Sequence, residues 1–400
     1  MSTVDTTLST GLPAGRSSKT AAYYLAFVAL GLTSASLGPT LPDLAENTRS
    51  NLREISYLFT ARSLGYLIGS FLGGRLFDSK PGHPVMALML VGMVATLILI
   101  PLMPLLWLLI AILLLLGLAE GALDVGGNTL LVWVHRHRVG PYMNGLHFFF
   151  GVGAFLSPLV IAQAVLWSGN ITWAYWTLAL LVAPAALWLL RLPSPPAQKV
   201  SQGGPAGQVN HRLVALIVLF FFLYVGAEVG FGGWIYTFAL DSKVTDETVA
   251  AYLTSAFWGA LTVGRLLAIP IAARVRPRYI LLGDLVGCLV SIGLILLWPH
   301  SLAAIWAGTL GIGLAMASVF PTTISLAERR MTVTGQVTGW FFVGASAGAM
   351  FWPWIIGQLF ESTGPQIMPL ALFIDLVLAL AILVILISYS TRSVIKAEEH

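Results

Sequence analysis

Charged side chains are scarce along this chain. Asp, Glu, Lys and Arg make up 10% of its 400 residues, whereas soluble domains usually carry about 25%. Hydrophobic residues account for 57%. Since so few charges cannot cover the surface of a soluble protein of this size, we exclude a water-soluble globular fold and predict an all-α protein that spans a lipid bilayer.

Residue patterns of catalytic and cofactor sites are also missing. The single cysteine, Cys288, can form no intrachain disulfide and lies in an apolar run, where we expect it to fill space. No metal-ligand spacing, phosphate-binding loop or nucleotide fingerprint is found. The GxSxG pattern at 344–348 lies within an apolar run, unlike a hydrolase elbow. We therefore expect no enzyme and no cofactor.

Twelve apolar runs divide the chain, each long enough for a helix that crosses a bilayer, which takes about 20 residues. A polar segment rich in Pro, Gly, Ser and Gln lies between the sixth and seventh runs and predicts a flexible linker. The runs lie near 21–42, 54–77, 84–103, 105–134, 142–168, 171–191, 212–240, 248–273, 278–298, 301–327, 334–360 and 366–390.

These runs predict two six-helix bundles. The first 19 residues are polar and lack the pattern of a cleaved leader, so we expect a disordered cytoplasmic tail there. The predicted organisation is a tail over 1–19, a bundle over 20–192, a cytoplasmic linker over 193–211, a bundle over 212–391 and a cytoplasmic tail over 392–400.

The basic residues predict the orientation in the membrane. If the N-terminus is cytoplasmic, the outer loops hold only Arg49, Arg53 and Lys243 of the 21 Lys and Arg residues, and Arg62 and Arg265 lie within helices. Since basic loops remain on the cytoplasmic side, both termini are predicted there. The short loops favour a bacterial cell membrane. Because the basic residues are spread over these loops, we expect no nucleic-acid partner.

The two halves resemble each other in sequence. Parallel repeats of this kind imply a pseudo-two-fold axis along the membrane normal, with the solute path between the halves. Three sets of residues recur in order at one nearly constant offset: Gly153, Pro158 and Gln163 with Gly348, Pro353 and Gln358; Gly117 with Gly313; and Gly65 and Arg75 with Gly264 and Arg274.

The fourth run carries acidic residues at membrane depth. Glu120, Asp124 and Asn128 are spaced by four residues and share one helix face. Two carboxylates one turn apart repel, so one of them tends to hold a proton or a cation, as a coupling site requires. Asn128 offers donors and an acceptor for sugar hydroxyls. The alternative is a buried structural cluster that pairs with Arg62.

Further polar residues lie within other runs. Glu228 is surrounded by glycines in the seventh run and precedes Trp234. We expect both side chains to line the solute path. His147 lies near the start of the fifth run and is a candidate for a hydrogen bond to a sugar or for proton transfer, with a core histidine as the alternative.

Charges of opposite sign suggest pairs. Arg62 is the candidate counter-charge of Glu120 or Asp124, or a direct substrate ligand. Arg265 and Asp284 lie toward the cytoplasm on adjacent helices and are predicted to form a structural ion pair. Asp375 has no assigned role.

Residues 69–83, GSFLGGRLFDSKPGH, resemble the signature loop between the second and third helices of the major facilitator superfamily. Asp78 and Gly82 stand at the expected positions, whereas His83 and Pro84 occupy later basic ones. Arg75 and Asp78 are therefore assigned to a gate or a structural role, together with Arg265 and Asp284.

Within that superfamily the chain is most similar to the fucose permease group, especially its sodium-dependent glucose transporter branch. The residues that carry this resemblance lie at 37–78, 121–131 and 220–240. The resemblance implies a hexose-like substrate and coupling to sodium or protons. The fourth-helix acid of fucose permeases maps onto the region of Glu120 and Asp124. Their first-helix acid has no counterpart, since Asp43 lies at the outer end of its run.

The predicted function is secondary active transport of a small polar solute, a hexose-type sugar, by alternating access in a monomer. The alternatives are efflux of amphiphilic or drug-like molecules and, in another class, a non-transporting membrane sensor. Coupling is assigned to Glu120 and Asp124, with sodium bound near them or a proton. The predicted substrate-binding residues are Asn128, Asp124, His147, Glu228, Trp234, Gln163 and Gln358.

Overall fold

The computed structural model describes residues 15–196, 210–331 and 333–398. These residues form α-helices joined by short connections, with two 3-10 turns at Ile100–Leu102 and Arg136–Arg138. The helices are α1 Arg16–Ser34, α2 Leu37–Thr48, α3 Leu52–Ile55, α4 Tyr57–Ser79, α5 Gly82–Leu99, α6 Leu106–His135, α7 Val139–Ser168, α8 Ile171–Leu190, α9 His211–Asp241, α10 Glu247–Ala272, α11 Pro277–Leu297, α12 Leu302–Met316, α13 Val319–Glu328, α14 Gly335–Thr363 and α15 Ile367–Glu398.

The helices follow the twelve predicted runs in order. Within the described residues, ten spans are long and apolar enough to cross a membrane, and α1 with α2, which meet at a bend of 46°, form an eleventh. The remaining run corresponds to α4, whose 23 residues include Arg62, Arg75 and Asp78. These charges lower its hydropathy below that of the other spans, although it is long enough to cross the bilayer.

Three predicted boundaries differ from the structure. The last residues of the predicted N-terminal tail, 16–19, form the first turn of α1, while residues 1–14 lie outside the described part. The predicted linker spans 193–211, whereas the connection between the end of α8 at Leu190 and the start of α9 at His211 spans 191–210. Its residues 197–209 are not described. Helix α15 continues to Glu398, past the predicted end of the second bundle at 391.

Several helices begin at a side chain that accepts a backbone hydrogen bond. Such N-caps satisfy one of the amide groups that have no partner within the helix. They fix where α8, α9, α10, α12 and α14 begin after their polar connections, and the capping residues are Asn170, Asn210, Asp246, Ser301 and Thr334, respectively.

Glycines bring α4 and α6 into backbone contact. A Cβ atom added at Gly65 would overlap the carbonyl oxygen of Leu114, and one at Gly117 would overlap the carbonyl oxygen of Arg62. Small residues at such crossings let two helices approach closely in a membrane. The crossing places the polar residues of α4 directly beside those of α6, which determines the geometry of the site.

The repeat seen in the sequence is also present in the packing. A Cβ atom at Gly153 of α7 would overlap the carbonyl oxygen of Val28 on α1. Its counterpart in the second half, Gly348 of α14, would overlap the carbonyl oxygen of Phe222 on α9 in the same way. The matched glycines therefore serve the same close helix crossing in each half.

Candidate functional site

A cavity of about 810 Å³ lies between the two halves. We call the end of the bundle where α1 begins and α15 ends the terminal face, and the other end the opposite face. The cavity lining includes Asn144, Pro277 and Arg329, which lie at helix ends on the terminal face. At its other end it reaches Gly38 and Gly232. The cavity therefore opens toward the terminal face.

Two glycine contacts close the cavity on the opposite side. A Cβ atom at Gly38 of α2 would lie 2.7 Å from the carbonyl oxygen of Gly232 on α9. A Cβ atom at Gly233 would lie 2.6 Å from the ring of Phe59 on α4. Because side chains are absent at these positions, the halves meet closely enough to seal this end.

Arg62 and Glu120 form a two-point ion pair beside the cavity. The guanidinium Nη2 lies 2.7 Å from Oε1 of Glu120, and Nε lies 2.8 Å from Oε2. The Glu120 side chain is 1% exposed and that of Arg62 is 15% exposed. Arg62 is therefore the counter-charge of Glu120 rather than of Asp124, and it binds both carboxylate oxygens of Glu120.

The same guanidinium also binds the end of α1. Nη1 of Arg62 donates to the carbonyl oxygen of Ser34 at 2.9 Å, and Nη2 lies 3.4 Å from that of Thr33. These carbonyls lie at the end of α1, just before the bend between α1 and α2, and that of Thr33 also accepts from the backbone N–H of Ser36 at 3.2 Å. One arginine thus neutralises Glu120 and stabilises the break in the first span.

Asp124 has hydrogen-bond donors but no cationic partner among the described residues. The hydroxyl of Tyr66 donates to its Oδ2 at 2.5 Å, and Nδ2 of Asn128 donates to its Oδ1 at 3.0 Å. All three residues line the cavity. The side-chain oxygen of Asn128 has no hydrogen-bond partner in the described structure, so it is free to accept one from a solute in the cavity.

In the second half, Glu228 accepts a hydrogen bond from the hydroxyl of Tyr224, which also lies 3.1 Å from the carbonyl oxygen of Met316. Glu228 lines the cavity, as predicted. His147 also lines it, and its ring packs edge-on against Phe27, with the centroids 6.0 Å apart. The cavity thus brings together Glu228 and His147 with the polar face of α6.

The predicted ion pair between Arg265 and Asp284 does not form. Asp284 accepts a hydrogen bond from Ser318, which lies at the break between α12 and α13. Arg265 lies on the face of α10 that lines the cavity. The two side chains are on consecutive spans, as expected, but no ion pair within 4.0 Å joins them.

Trp234 does not line the cavity, contrary to the prediction. Its side chain is fully buried, and Nε1 donates to the carbonyl oxygen of Pro353 at 2.9 Å. Trp234 lies six positions after Glu228, so the two side chains are about 120° apart around α9. Glu228 faces the solute path, whereas Trp234 packs against α14.

Gln163 and Gln358 also lie outside the cavity lining and join the halves near the opposite face. Nε2 of Gln163 donates to the Tyr252 hydroxyl at 2.9 Å. Nε2 of Gln358 donates to the carbonyl oxygen of Arg53 at 3.0 Å, and Nε of Arg53 donates to Oε1 of Gln358 at 2.8 Å. We call these contacts the glutamine bridges. The two glutamines occupy matched positions of the repeat, and each joins its own half to the other half at the opposite face.

Arg75 and Asp78 lie at the end of α4 on the terminal face. The guanidinium of Arg75 lies over the ring of Phe71, with its central carbon 4.5 Å from the ring centroid. Neither residue lines the cavity. Their assignment to a gate or a structural role stays a prediction.

The tyrosine partners of the acidic residues were not predicted from the sequence. Tyr66 follows Arg62 by four residues, just as Asp124 follows Glu120, so two helices that cross with aligned turns bring both pairs into contact. Tyr224 likewise precedes Glu228 by one turn. This matched four-residue spacing is the signal that could have identified both tyrosines.

No group of three or more His, Cys, Asp or Glu side chains able to hold a metal is found in the residues that the structure describes.

The family model of the Major Facilitator Superfamily matches residues 23–353. The sodium-dependent glucose transporter 1A of Mus musculus is 33% identical over 378 residues, which cover 84% of this chain and 88% of that protein. Sodium-dependent glucose transporter 1 of Homo sapiens is 32% identical over 371 residues, covering 83% and 72%, respectively. The fold is similar to that of a mutant of the nucleoside transporter NupG, with a TM-score of 0.77 and 15% identity over 92% of this chain and 99% of that one.

Proposed function

Because this chain belongs to the major facilitator superfamily and is a multi-pass membrane transporter rather than an enzyme, we propose that it carries a hexose-type sugar by alternating access, coupled to sodium or protons. We place it in the cell membrane as a monomer with both termini in the cytoplasm. In that orientation the cavity opens to the cytoplasm.

The observation that carries this proposal is the polar face of α6 within the cavity. Asp124 and Asn128 present acceptor oxygens there, next to the hydroxyl of Tyr66. A hexose carries both donor and acceptor hydroxyls, so it can satisfy such a face, whereas an apolar solute would leave it desolvated without partners. Relatives that cover most of this chain are named sodium-dependent glucose transporters.

Coupling is assigned to Asp124 alone of the two candidate acids. Both oxygens of Glu120 are bound by Arg62, which neutralises its charge. Asp124 has only hydrogen-bond donors around it, so a cation or a proton is needed to neutralise it when the cavity closes around the solute. The carboxylate of Asp124 and the side-chain oxygen of Asn128 are ligands suited to a hard cation such as sodium.

Alternating access requires the glutamine bridges to break. When the opposite face opens, the contacts of Gln163 with Tyr252 and of Gln358 with Arg53 separate, and the halves then close over the terminal face. Neutralisation of Asp124 and filling of the cavity by solute lower the cost of enclosing its polar groups during this change.

Uptake by purified protein in proteoliposomes tests the function. Labelled glucose, galactose and fucose are offered with an inward sodium gradient, with a proton gradient and with neither. We expect saturable uptake of at least one hexose, accelerated by one of the two gradients. Absence of saturable hexose uptake under all three conditions would contradict the proposal.

Efflux of amphiphilic molecules is a second candidate, because aromatic rings line much of the cavity. Phe27, Phe148, Phe150, Phe320 and Phe342 all contribute to the lining. Export of a lipophilic cation from loaded vesicles, together with no binding of any hexose, would decide for this candidate.

A further inference from the structure

Arg265 is a cavity-lining cation that forms no hydrogen bond or ion pair in the described structure. It lies on α10, and no hydrogen bond or ion pair within 4.0 Å joins it to a residue that the structure describes. Arg62, the cation on the other side of the cavity, is bound by Glu120 and by the end of α1. An arginine at membrane depth is costly unless it faces water or a partner, so Arg265 requires acceptors from the cavity.

The repeat explains why this arginine has no partner. In the register set by the matched glycines, Arg265 on α10 occupies the position of Tyr66 on α4. Tyr66 donates to Asp124 on α6. The residue that corresponds to Asp124 is Phe320, which also lines the cavity. The second half therefore keeps a donor at this position but has a phenyl ring where the acceptor would be.

Helix packing supports this register. A Cβ atom at Gly65 would contact the backbone of Leu118 on α6. A Cβ atom at Gly264, the matched glycine of α10, would lie 2.9 Å from the carbonyl oxygen of Leu314 on α12. Leu118 and Leu314 are themselves matched in the repeat, so the two crossings are equivalent. Tyr66 and Arg265 therefore occupy equivalent positions in the structure as well as in the sequence.

No carboxylate that lines the cavity pairs with Arg265 in the described structure. Glu120 is bound by Arg62, and neither Asp124 nor Glu228 lies within 4.0 Å of the charged nitrogen atoms of Arg265 in the described structure. The acceptor for Arg265 therefore comes from the solute. A guanidinium presents its donors in a planar fork that fits two neighbouring oxygen atoms.

We infer that Arg265 is a solute ligand that determines specificity: its fork donates to two adjacent hydroxyl oxygens of a hexose, whose other edge donates to Asp124 and Asn128. This inference rests on the proposed function and adds a named contact in the second half. Since Arg265 lies on α10 and Asp124 on α6, a solute bound in this way bridges the two halves.

A hexuronate offers the same pair of adjacent oxygens in its carboxylate. Exchange of labelled glucose and of labelled glucuronate across proteoliposomes therefore forms two arms of one experiment. Deoxyglucoses that lack single hydroxyls compete with glucose, so that each oxygen of the solute is tested in turn. The proteins are the wild type, Arg265→Gln, Arg265→Lys and the control Arg276→Gln, which removes an exposed charge outside the cavity.

We expect the wild type to bind glucose more tightly than the deoxyglucoses that lack either of the two adjacent hydroxyls contacted by Arg265. Arg265→Gln should raise the KM for glucose about 10- to 100-fold, the range for loss of hydrogen bonds to a charged donor, and should abolish that discrimination. Arg265→Lys keeps the charge without the fork, so it should lose discrimination with a smaller rise in KM. Arg276→Gln should match the wild type.

Two results would overturn the inference while hexose transport stands: an unchanged KM in Arg265→Gln, or a raised KM with the discrimination between deoxyglucoses intact, which indicates a purely structural role. A third result is that the wild type exchanges glucuronate but no hexose, and that Arg265→Gln loses the exchange of glucuronate. This would refute the hexose proposal and uphold the arginine contact. Exchange by the wild type of none of glucose, galactose, fucose and glucuronate would refute both.

Discussion

The two halves of this transporter share their helix packing but not their polar chemistry. In the first half, Arg62 pairs with Glu120 where α4 crosses α6. At the matched crossing of α10 and α12, the corresponding residues are Leu261 and Met316, and both are buried. An ion pair in one half is thus replaced by an apolar contact in the other.

This difference shows that the repeat determines how the helices pack but not which side chains face the cavity. Matched glycines such as Gly153 and Gly348 place the helices equivalently in each half. Side chains that face the cavity have diverged, since Asp124 corresponds to Phe320. We therefore assign ion coupling to the first half and expect the second half to contribute solute contacts, chiefly through Arg265 and Glu228.

The largest expected effect comes from breaking the ion pair of the first half. Glu120→Gln leaves the charge of Arg62 without its partner and should cost about 3–5 kcal/mol of stability. Glu228→Gln, at a carboxyl group of the second half that has no ion pair within 4.0 Å in the described residues, should cost about 1 kcal/mol or less. Thermal unfolding in detergent, followed with a thiol-reactive dye, measures both because the single cysteine, Cys288, is buried.

The double variant Arg62→Met with Glu120→Met is the control for that experiment. It removes both charges and should recover part of the loss, as apolar replacements of buried pairs often do. Recovery should be incomplete because Arg62 also binds the carbonyl of Ser34. Equal unfolding temperatures for Glu120→Gln and Glu228→Gln would remove the distinction between the halves.

Alanine at the matched glycines Gly65 and Gly264 tests the shared packing. Both Cβ atoms would press on backbone or side-chain atoms of the crossing helix, so each variant should lose about 1–3 kcal/mol. Gly74→Ala, where nothing lies within 4 Å of the added atom, should be neutral or gain about 0.5–1 kcal/mol from helix propensity. If only one of the two matched variants is destabilised in the same unfolding assay, the crossings are not equivalent.

Removing the glutamine bridges tests whether Gln163 and Gln358, which occupy matched positions, act together as a gate. Removing both side chains with Gln163→Ala and Gln358→Ala deletes hydrogen bonds between the halves, each worth about 0.5–1.5 kcal/mol. The population with an open opposite face should therefore rise several-fold. Gln336→Ala, at an exposed position at the start of α14, should leave the population unchanged.

Pulsed electron resonance distances measure that population. Spin labels at Ser168 and Ser362, which are exposed on the opposite face of the two halves, report its opening in a background without Cys288. An identical distance distribution in the double variant and the unsubstituted background would show that the bridges do not hold this face closed.

The smallest effect is expected at Asp375 in α15. Its side chain is fully buried, and neither carboxyl oxygen has a hydrogen-bond partner in the described residues. Asp375→Leu should therefore raise stability by about 1–2 kcal/mol and leave hexose exchange unchanged, because Asp375 does not line the cavity. Loss of exchange in a stable Asp375→Leu protein would reveal a functional site in the second half and weaken the comparison.

Much of the architecture could be predicted from the sequence because bilayer thickness and helix periodicity constrain it. Twelve runs of sufficient length correspond to the observed spans, including α1 with α2 and α12 with α13. The four-residue spacing of Glu120, Asp124 and Asn128 places them on one face, and all three line the cavity.

The errors arose where the neighbouring helix, rather than the residue's own helix, decides the contact. Trp234 lies close to Glu228 in sequence but is rotated toward α14 and the carbonyl of Pro353. Asp284 is bound by Ser318 instead of Arg265, because the break between α12 and α13 brings that hydroxyl within reach. Helix rotation and breaks depend on packing between spans, which hydropathy does not encode.

Accumulation of glucose, compared with its exchange at saturating concentration, tests the central claim most directly. Asp124→Asn and Glu228→Gln each remove one carboxylate of the cavity, one from each half. We predict that Asp124→Asn still exchanges glucose but no longer accumulates it against a gradient, whereas Glu228→Gln still accumulates it. Accumulation by Asp124→Asn at the wild-type level would contradict the assignment of coupling to the first half.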